Sequence, residues 1–471
     1  MTENGWEPVI GLEIHVQLNT DSKMFCRCAN RFGEEPNSLT CPVCLGHPGA
    51  LPTINAGAVD KAIEIGLALN CDVAERCQFH RKNYFYPDSP KAYQISQYDE
   101  PICIRGHLDV DGRRVGITRA HLEEDAAKLV HAGGSGGRIA GAESSVVDFN
   151  RCGTPLVEIV TEPDLRSPEE AVAFLGLLKN TLQTIGVSDC DMEKGSLRCD
   201  ANVSVRRAGE TGFGTKTELK NMNSFKFLGE GMAAEIERQI GLLASGREVQ
   251  QETLHYDPAR RELHARRSKE EADDYRYFPE PDLVPLEPSR ETVERLRAAM
   301  PELPGARIAR FRAEHGLSAQ DATDLNASAA VADYFEEVVA GGADAKAASD
   351  WVRNQPGAVD SVPAARLAGL IGLVAAGTIT PTIAKQVYGL LEAEPGADPA
   401  ELVDRHGLAT VGDSAELEGL VDRVLEANPK FVEQFRAGKD GVINALVGQV
   451  MKETRGRADA RRVQELMRER L

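Results

Sequence analysis

No stretch of this chain is apolar for long enough to cross a bilayer, and its opening residues, MTENGWEP, lack the basic and apolar regions of a secretory signal. A cytoplasmic protein is therefore expected. Positive charge is also short: 54 Lys and Arg against 73 Asp and Glu leave a net charge of −19. That balance repels nucleic acid and anionic lipid, so any RNA contact needs a local basic surface. The glycine-rich Ser135–Ala142 lacks the Lys-Ser/Thr ending of a phosphate-binding loop and reads as a flexible connection. There is no Gly-x-Ser-x-Gly elbow, no Ser/Lys amidase signature and no repeat of fixed period. Hydrolysis of an amide by this chain itself is not expected.

What is present is the composition of a globular protein, 42% hydrophobic and 27% charged over 471 residues, enough for about two to four domains. From Trp6 to about Pro288, strand-like segments broken by Gly, Pro and Asn dominate. Helical spacing shows at Ala56–Leu69, Pro168–Ile185 and Phe227–Ser245. Without β-α-β alternation, this is an α+β pattern with a mostly antiparallel sheet. From Thr292 onward Ala-, Leu- and Glu-rich helices take over, interrupted at Pro356–Pro363 and Pro395–Pro399. Domains are expected at 1–291, 292–398 and 399–471.

The segment Val9–Leu18, VIGLEIHVQL, organises the rest. As a strand it sends Ile10, Leu12, Ile14, Val16 and Leu18 to one face and Glu13, His15 and Gln17 to the other. Hard oxygen and imidazole nitrogen then converge from a stiff element, the start of a divalent-metal site. Ile117–His131 adds His121 and Glu123 on one face, with Glu124 beginning an acidic turn. Adjacent carboxylates are costly unless a cation is near, or they belong to a helix's first turn. Ser196–Arg206 places Arg198 and Asp200 on one face, and Lys216, Glu218 and Lys220 share a face in Thr215–Asn221. Such strands suit a sheet whose concave side holds Mg²⁺ and phosphate, as phosphoryl transfer requires.

Three further stretches carry chemistry. Cys26 and Cys28, then Cys41 and Cys44, supply paired thiols on two turns, the spacing of a structural zinc knuckle over 26–44. Phe79–Gln97 is dense in basic and aromatic residues. There Lys82, Asn83, Tyr84 and Tyr86 could hold phosphate and stack a base, or anchor the loop by packing. Near the C-terminus, Lys452, Arg455, Arg457, Arg461 and Arg462 form a cationic run, either a backbone-phosphate contact or a solvated helix paired with its own acids.

The ordered motifs GLEIHVQL, CPVCLGHPGALPTIN, RKNYFYPDSPKAYQISQ, HLEEDAAK, DFNRCGTPLVEIVTEPD, SLRCDANVSVR, TKTELKNMNSF and YRYFPEPDL resemble the GatB family, the B subunits of aspartyl/glutamyl-tRNA(Asn/Gln) amidotransferases. The resemblance implies a cradle domain with a glutamine-synthetase-like antiparallel sheet, a helical domain and a YqeY-like, tRNA-binding tail. It implies ATP-dependent phosphorylation of the side-chain carboxylate of Glu-tRNA(Gln) or Asp-tRNA(Asn), followed by amidation. Ammonia would come through a channel from a glutaminase partner (GatA), with a small third partner (GatC) completing the complex. Carried over residue by residue, Glu13, His15, Glu123 and Glu124 become Mg²⁺ ligands, and Lys82, Asn83, Tyr84 and Tyr86 contact ATP or the tRNA acceptor end. Arg198, Asp200 and Lys216 are assigned to phosphate and metal support by face rather than by family. Two other readings fit the residues: a zinc-containing tRNA-binding scaffold without chemistry of its own, and a stand-alone ligase using free ammonia.

Overall fold

The computed structural model describes residues 5–133, 142–220, 222–258, 260–268, 272–355, 357–410 and 414–471, so most of the glycine-rich Ser135–Ala142 lies outside the described residues. Contacts divide the chain into two compact units, Met1–Ala306 and Arg307–Leu471. No helix among the described residues is long and apolar enough to cross a membrane.

The first unit is mixed α+β. Its strands are β1 (Trp6–Gln17), β2 (Asp72–Val73), β3 (Phe79–Asn83), β4 (Tyr93–Gln97), β5 (Cys103–Val110), β6 (Arg113–Glu124) and β7 (Lys128–Ala132). They continue as β8 (Ser144–Asp148), β9 (Pro155–Thr161), β10 (Leu197–Arg207), β11 (Thr217–Lys220), β12 (Glu252–Asp257), β13 (Glu262–Ser268) and β14 (Phe278–Pro279). Twelve of them form one sheet in the order β13-β12-β11-β10-β1-β9-β6-β4-β3-β14, with β5 and β2 attached beside β6; β7 and β8 pair separately. Every pairing in the sheet is antiparallel except that of β11 with β12. A parallel pair needs a crossover, supplied here by the helix between the two strands.

Helices α1 (Ala56–Ala68), α2 (Pro168–Thr184) and α3 (Phe225–Ala244) follow the apolar spacing seen in the sequence. Each begins where a side chain accepts the first loose N–H: Asn55 from Ala58, Ser167 from Glu170 and Ser224 from Phe227. The Ser224 cap starts α3 two residues earlier than the apolar pattern alone indicates. Together they cover one face of the sheet, where Ile10, Leu12, Ile14, Val16 and Leu18 are buried in a core shared with Ile63, Phe174, Leu178 and Leu228. The opposite face of β1, with Glu13, His15 and Gln17, is left half-buried. Helix α4 (Arg290–Ala299) packs on α1 through buried Leu296 and an Arg295–Asp60 ion pair of 3.1 Å, and so belongs to the first unit.

The second unit is helical and holds two apolar cores. One gathers Phe311, Phe335, Leu367, Ile383 and Leu402; the other gathers Val421, Leu446, Val450 and Val463. A hydrogen bond from Thr380 Oγ1 to Gly456 O (2.6 Å) ties the loop between the last two helices, Ile443–Glu453 and Ala460–Arg470, to the first of these cores.

Candidate active site

Strand register brings the polar face of the sheet together. Arg198 on β10 stands opposite His15 on β1, His15 opposite Glu158 on β9, and Glu158 opposite His121 on β6. One step along, Asp200 stands opposite Glu13, and Ser96 on β4 opposite Glu123 on β6. With a side-chain period of two, these residues share one face across five adjacent strands.

His15 Nε2 lies 3.3 Å from Glu123 Oε1 and 3.3 Å from Glu158 Oε2. His121 Nε2 lies 3.8 Å from a carboxylate oxygen of each of the same two glutamates, and Ser96 Oγ donates to Glu123 at 3.2 Å. Candidate ligand atoms of Glu13, His15 and Glu158 fall within 4.8 Å of one another, as do those of His121, Glu123 and Glu158. Glu158 belongs to both groups.

Buried carboxylates this close need positive charge, and the structure supplies it. Burial works against a charged His15, yet hydrogen bonds to Glu123 and Glu158 raise it to about 10. Burial favours protonated Glu158, but the charge of His121 and the hydrogen bond and charge of His15 draw it down to about 2. Glu123 is likewise held well below the usual carboxylate range, against its burial, by hydrogen bonds from His121 and His15. Glu13 moves the other way, pushed up by burial and by the Glu158 carboxylate. In the cation-free chain an imidazolium therefore stands between two carboxylates, the electrostatic role a divalent cation would take. The donor set of hard oxygens and imidazoles fits such an ion.

Cations flank the ladder. Arg119 reaches Glu158 at 3.4 Å, and Lys220 on β11 binds Asp200 at 2.7 Å. Arg198 binds buried Asp125 at 2.8 Å, and Gln17 donates to the same carboxylate at 2.7 Å. Lys82 sits 4.8 Å from the centre of the Tyr275 ring. Burial would depress Lys82, but Tyr277, Glu123 and Glu158 hold it above the usual lysine range. His15, Gln17, Arg198, Asp200 and Lys220 line a cleft of about 1050 Å³, large enough for a nucleotide and part of a second substrate.

Glu13, His15, Glu123, Lys82, Arg198 and Asp200 thus come together, while other residues singled out from the sequence do not. Strand β6 continues through Glu124 instead of turning there, so alternation sends its side chain away from Glu123. Glu124 is buried against the Lys91 ammonium and accepts from the Ile95 N–H at 3.0 Å. Lys216 precedes β11 and is exposed, and the cation beside Asp200 is Lys220. Asn83 spends its amide on the carbonyls of Tyr275 and Arg276, at 3.2 and 2.8 Å. Tyr84 is half-buried and Tyr86 exposed. Glu158, given no role from the sequence, completes the ladder together with His121 and Lys220, which the sequence places on polar faces without assigning them to the site. The signal for Glu158 is a lone carboxylate inside an otherwise apolar strand, PLVEIVT.

Cys26, Cys28, Cys41 and Cys44 converge, their sulfurs within 4.8 Å of one another. The Cys41 N–H donates to Cys44 Sγ at 3.2 Å, and fully buried Lys23 donates to Cys44 Sγ at 3.7 Å, Leu39 O at 2.8 Å and Phe149 O at 3.3 Å. Four thiols with no further ligand position, beside a buried cation that offsets thiolate charge, suit a closed tetrahedral zinc.

In the second unit Lys452, Arg455, Arg461 and Arg462 are exposed around the Ile443–Glu453 and Ala460–Arg470 helices, and Arg457 is half-buried with Nε on Thr454 O at 3.3 Å. Arg462 pairs with Glu465 at 3.2 Å.

Residues 8–294 match the family described as the GatB/GatE catalytic domain, and residues 333–471 match the GatB domain. A protein of Carboxydothermus hydrogenoformans, named as the B subunit of an aspartyl/glutamyl-tRNA(Asn/Gln) amidotransferase, is 50% identical over 480 residues, covering 99% of each chain. Proteins of the same name from Moorella thermoacetica and Frankia casuarinae are each 51% identical; the alignments cover 99% of this chain and 100% and 96% of theirs.

Proposed function

The chain belongs to the GatB/GatE family, and from that membership we propose that it is the B subunit of a glutamine-hydrolysing aminoacyl-tRNA amidotransferase. Its substrates are Glu-tRNA(Gln), Asp-tRNA(Asn) or both, together with ATP. The observation that carries this reading is the buried carboxylate–imidazole ladder, flanked by Lys82, Arg198 and Lys220, whose His15 lines a cleft of about 1050 Å³ together with Arg198, Asp200 and Lys220.

The chemistry follows from charge. A carboxylate is a poor acyl donor because oxide would have to leave; transfer of the γ-phosphoryl group of ATP onto the side-chain oxygen, with release of ADP, turns that oxygen into a good leaving group. The lone pair of ammonia then attacks the acyl carbon, the carbon–oxygen bond to phosphate breaks, and a proton lost from nitrogen leaves the amide. Lys82, Arg198 and Lys220 neutralise phosphate oxygens, and Glu13, His15, Glu123 and Glu158 would hold Mg²⁺, which screens the triphosphate when bound. Closing the cleft against water protects the acyl phosphate from hydrolysis. Ammonia comes from a separate glutaminase, GatA, consistent with the missing amidase signature here, and the small GatC completes the assembly.

Cys26, Cys28, Cys41 and Cys44 hold a structural zinc in this reading. The sheet unit is the glutamine-synthetase-like cradle; a helical domain and a YqeY-like tail follow, and Lys452, Arg455, Arg457, Arg461 and Arg462 meet the tRNA backbone. The test is ADP formation by the whole complex with misacylated tRNA: Glu13→Ala abolishes it, whereas unchanged turnover would leave only the scaffold role.

A further inference from the structure

The zinc-knuckle loop and the β7–β8 hairpin are stitched into one flap. Asn37, in the left-handed region at φ 62°, donates its N–H to Asp148 Oδ1 at 3.1 Å and its amide to Val147 O at 3.2 Å, and accepts from the Phe149 N–H at 2.8 Å. Asn150 accepts from the Leu39 N–H at 2.8 Å and donates to Glu35 O at 2.7 Å. Pairing within the hairpin sets Val130 opposite Val146 and Lys128 opposite Asp148, so these four share one face, and all four line the large cleft. His131 and Ser145 bond to each other on the reverse face, at 2.7 Å. Phe32, from the knuckle loop, lines the same cleft.

This wall presents three exposed apolar side chains among its charged ones. Phe32 is 73% exposed, Val146 56% and Val130 42%, whereas the Glu123 side chain in the ladder is 3% exposed. A large ring left in water, lining the same cleft as two exposed valines and exposed Arg31 and Lys128, is the composition of a stacking platform for a base whose phosphates meet cations. ATP must bring its phosphates down to the buried ladder, while a polymer enters past the exposed wall. Resting on the function proposed above, we propose that Phe32, Val130 and Val146 form a subsite that stacks the unpaired 3′-terminal adenosine of the tRNA, with Arg31 and Lys128 beside its backbone. The flap thereby orients the ester-linked amino acid toward the ladder.

The test uses the complete amidotransferase. In a Phe32→Trp complex, the added indole fluorescence, measured as a difference from the unsubstituted complex, is quenched by the cognate tRNA. Removing the terminal adenosine from that tRNA weakens the quench at least about fivefold. Phe32→Ser and Val146→Ser each raise the KM for the misacylated tRNA by about five- to tenfold, Phe32→Trp restores it, and His131→Ala on the reverse face leaves it in place. Quenching by ATP without a response to tRNA overturns the assignment, as does an unchanged KM in both serine variants while the parent complex still amidates its tRNA. Failure of the parent complex to amidate tRNA would instead overturn the function from which the subsite was argued.

Discussion

His15 Nε2 is held 3.3 Å from Glu123 Oε1 by strands that are not neighbours, since β9 with Glu158 runs between them. Its partners make the site's protonation a property of the cluster, not of any one residue.

Loading the site with Mg²⁺ should release a proton. The imidazole, raised to about 10 by Glu123 and Glu158 against its burial, is charged near neutral pH and must become neutral to ligate a metal. Calorimetric titration in buffers of different ionisation enthalpy should return about one proton per ion; a value of zero would show that His15 keeps its proton.

Stability of the cation-free chain should fall at both pH extremes. The folded pKa of His15 lies above its ordinary 6.5, so its contribution is full below 6.5 and is lost as pH rises through about 10. Glu158 lies below its ordinary 4.5, so its contribution is full above 4.5 and is lost as pH falls toward about 2. Thermal midpoints of the parent and of His15→Gln should lie apart below pH 6.5 and converge as pH rises through about 10.

Glu158→Gln keeps the volume and removes the carboxylate common to both ligand groups. ADP formation dependent on tRNA should drop by about 10- to 100-fold at fixed Mg²⁺ and recover partly as Mg²⁺ is raised. An unaltered Mg²⁺ dependence would take Glu158 out of the ion's surroundings.

The neighbouring glutamates should separate by phenotype. Glu123→Gln weakens the response to Mg²⁺, whereas Glu124→Gln leaves the Lys91 ammonium buried without its partner and costs about 3 kcal/mol in denaturant unfolding. If Glu124→Gln unfolds at the parent's denaturant midpoint, the Lys91 pair is not a stability element.

Lys23→Met removes the cation buried beside the four thiols while keeping the length of the side chain. Zinc affinity, read by competition with a chelator, should fall at least about tenfold. Loss of the ion should also loosen the flap that Asn37 ties to Asp148 and raise the KM for tRNA more than that for ATP.

Much of the site is legible in the chain because local period carries it. The alternation in β1 locates Glu13 and His15 and its apolar face, and the Cys26–Cys44 spacing locates the sulfur cluster. What escapes depends on where strands end and how they are registered, which no single segment encodes. Glu124 reads as a turn residue, but β6 runs through it, so one step of alternation reverses its direction. Lys216 shares a face with Lys220 in the sequence and looks like the support for the site, yet β11 begins at Thr217 and register with β10 puts Lys220 beside Asp200. Glu158 hides inside an apolar strand that reads as core until β1 and β6 are laid on either side of it.

The first strand of the chain is also the middle one of the site, with β9 and β10 as its partners. While the protein is being synthesised, Ile10, Leu12, Ile14 and Val16 therefore have no sheet neighbour until Pro155–Thr161 has left the ribosome, and only one until Leu197–Arg207 follows. A nascent chain carrying so aggregation-prone a segment for that long is a natural client for chaperones, and slow emergence of its first half should cost yield of soluble protein.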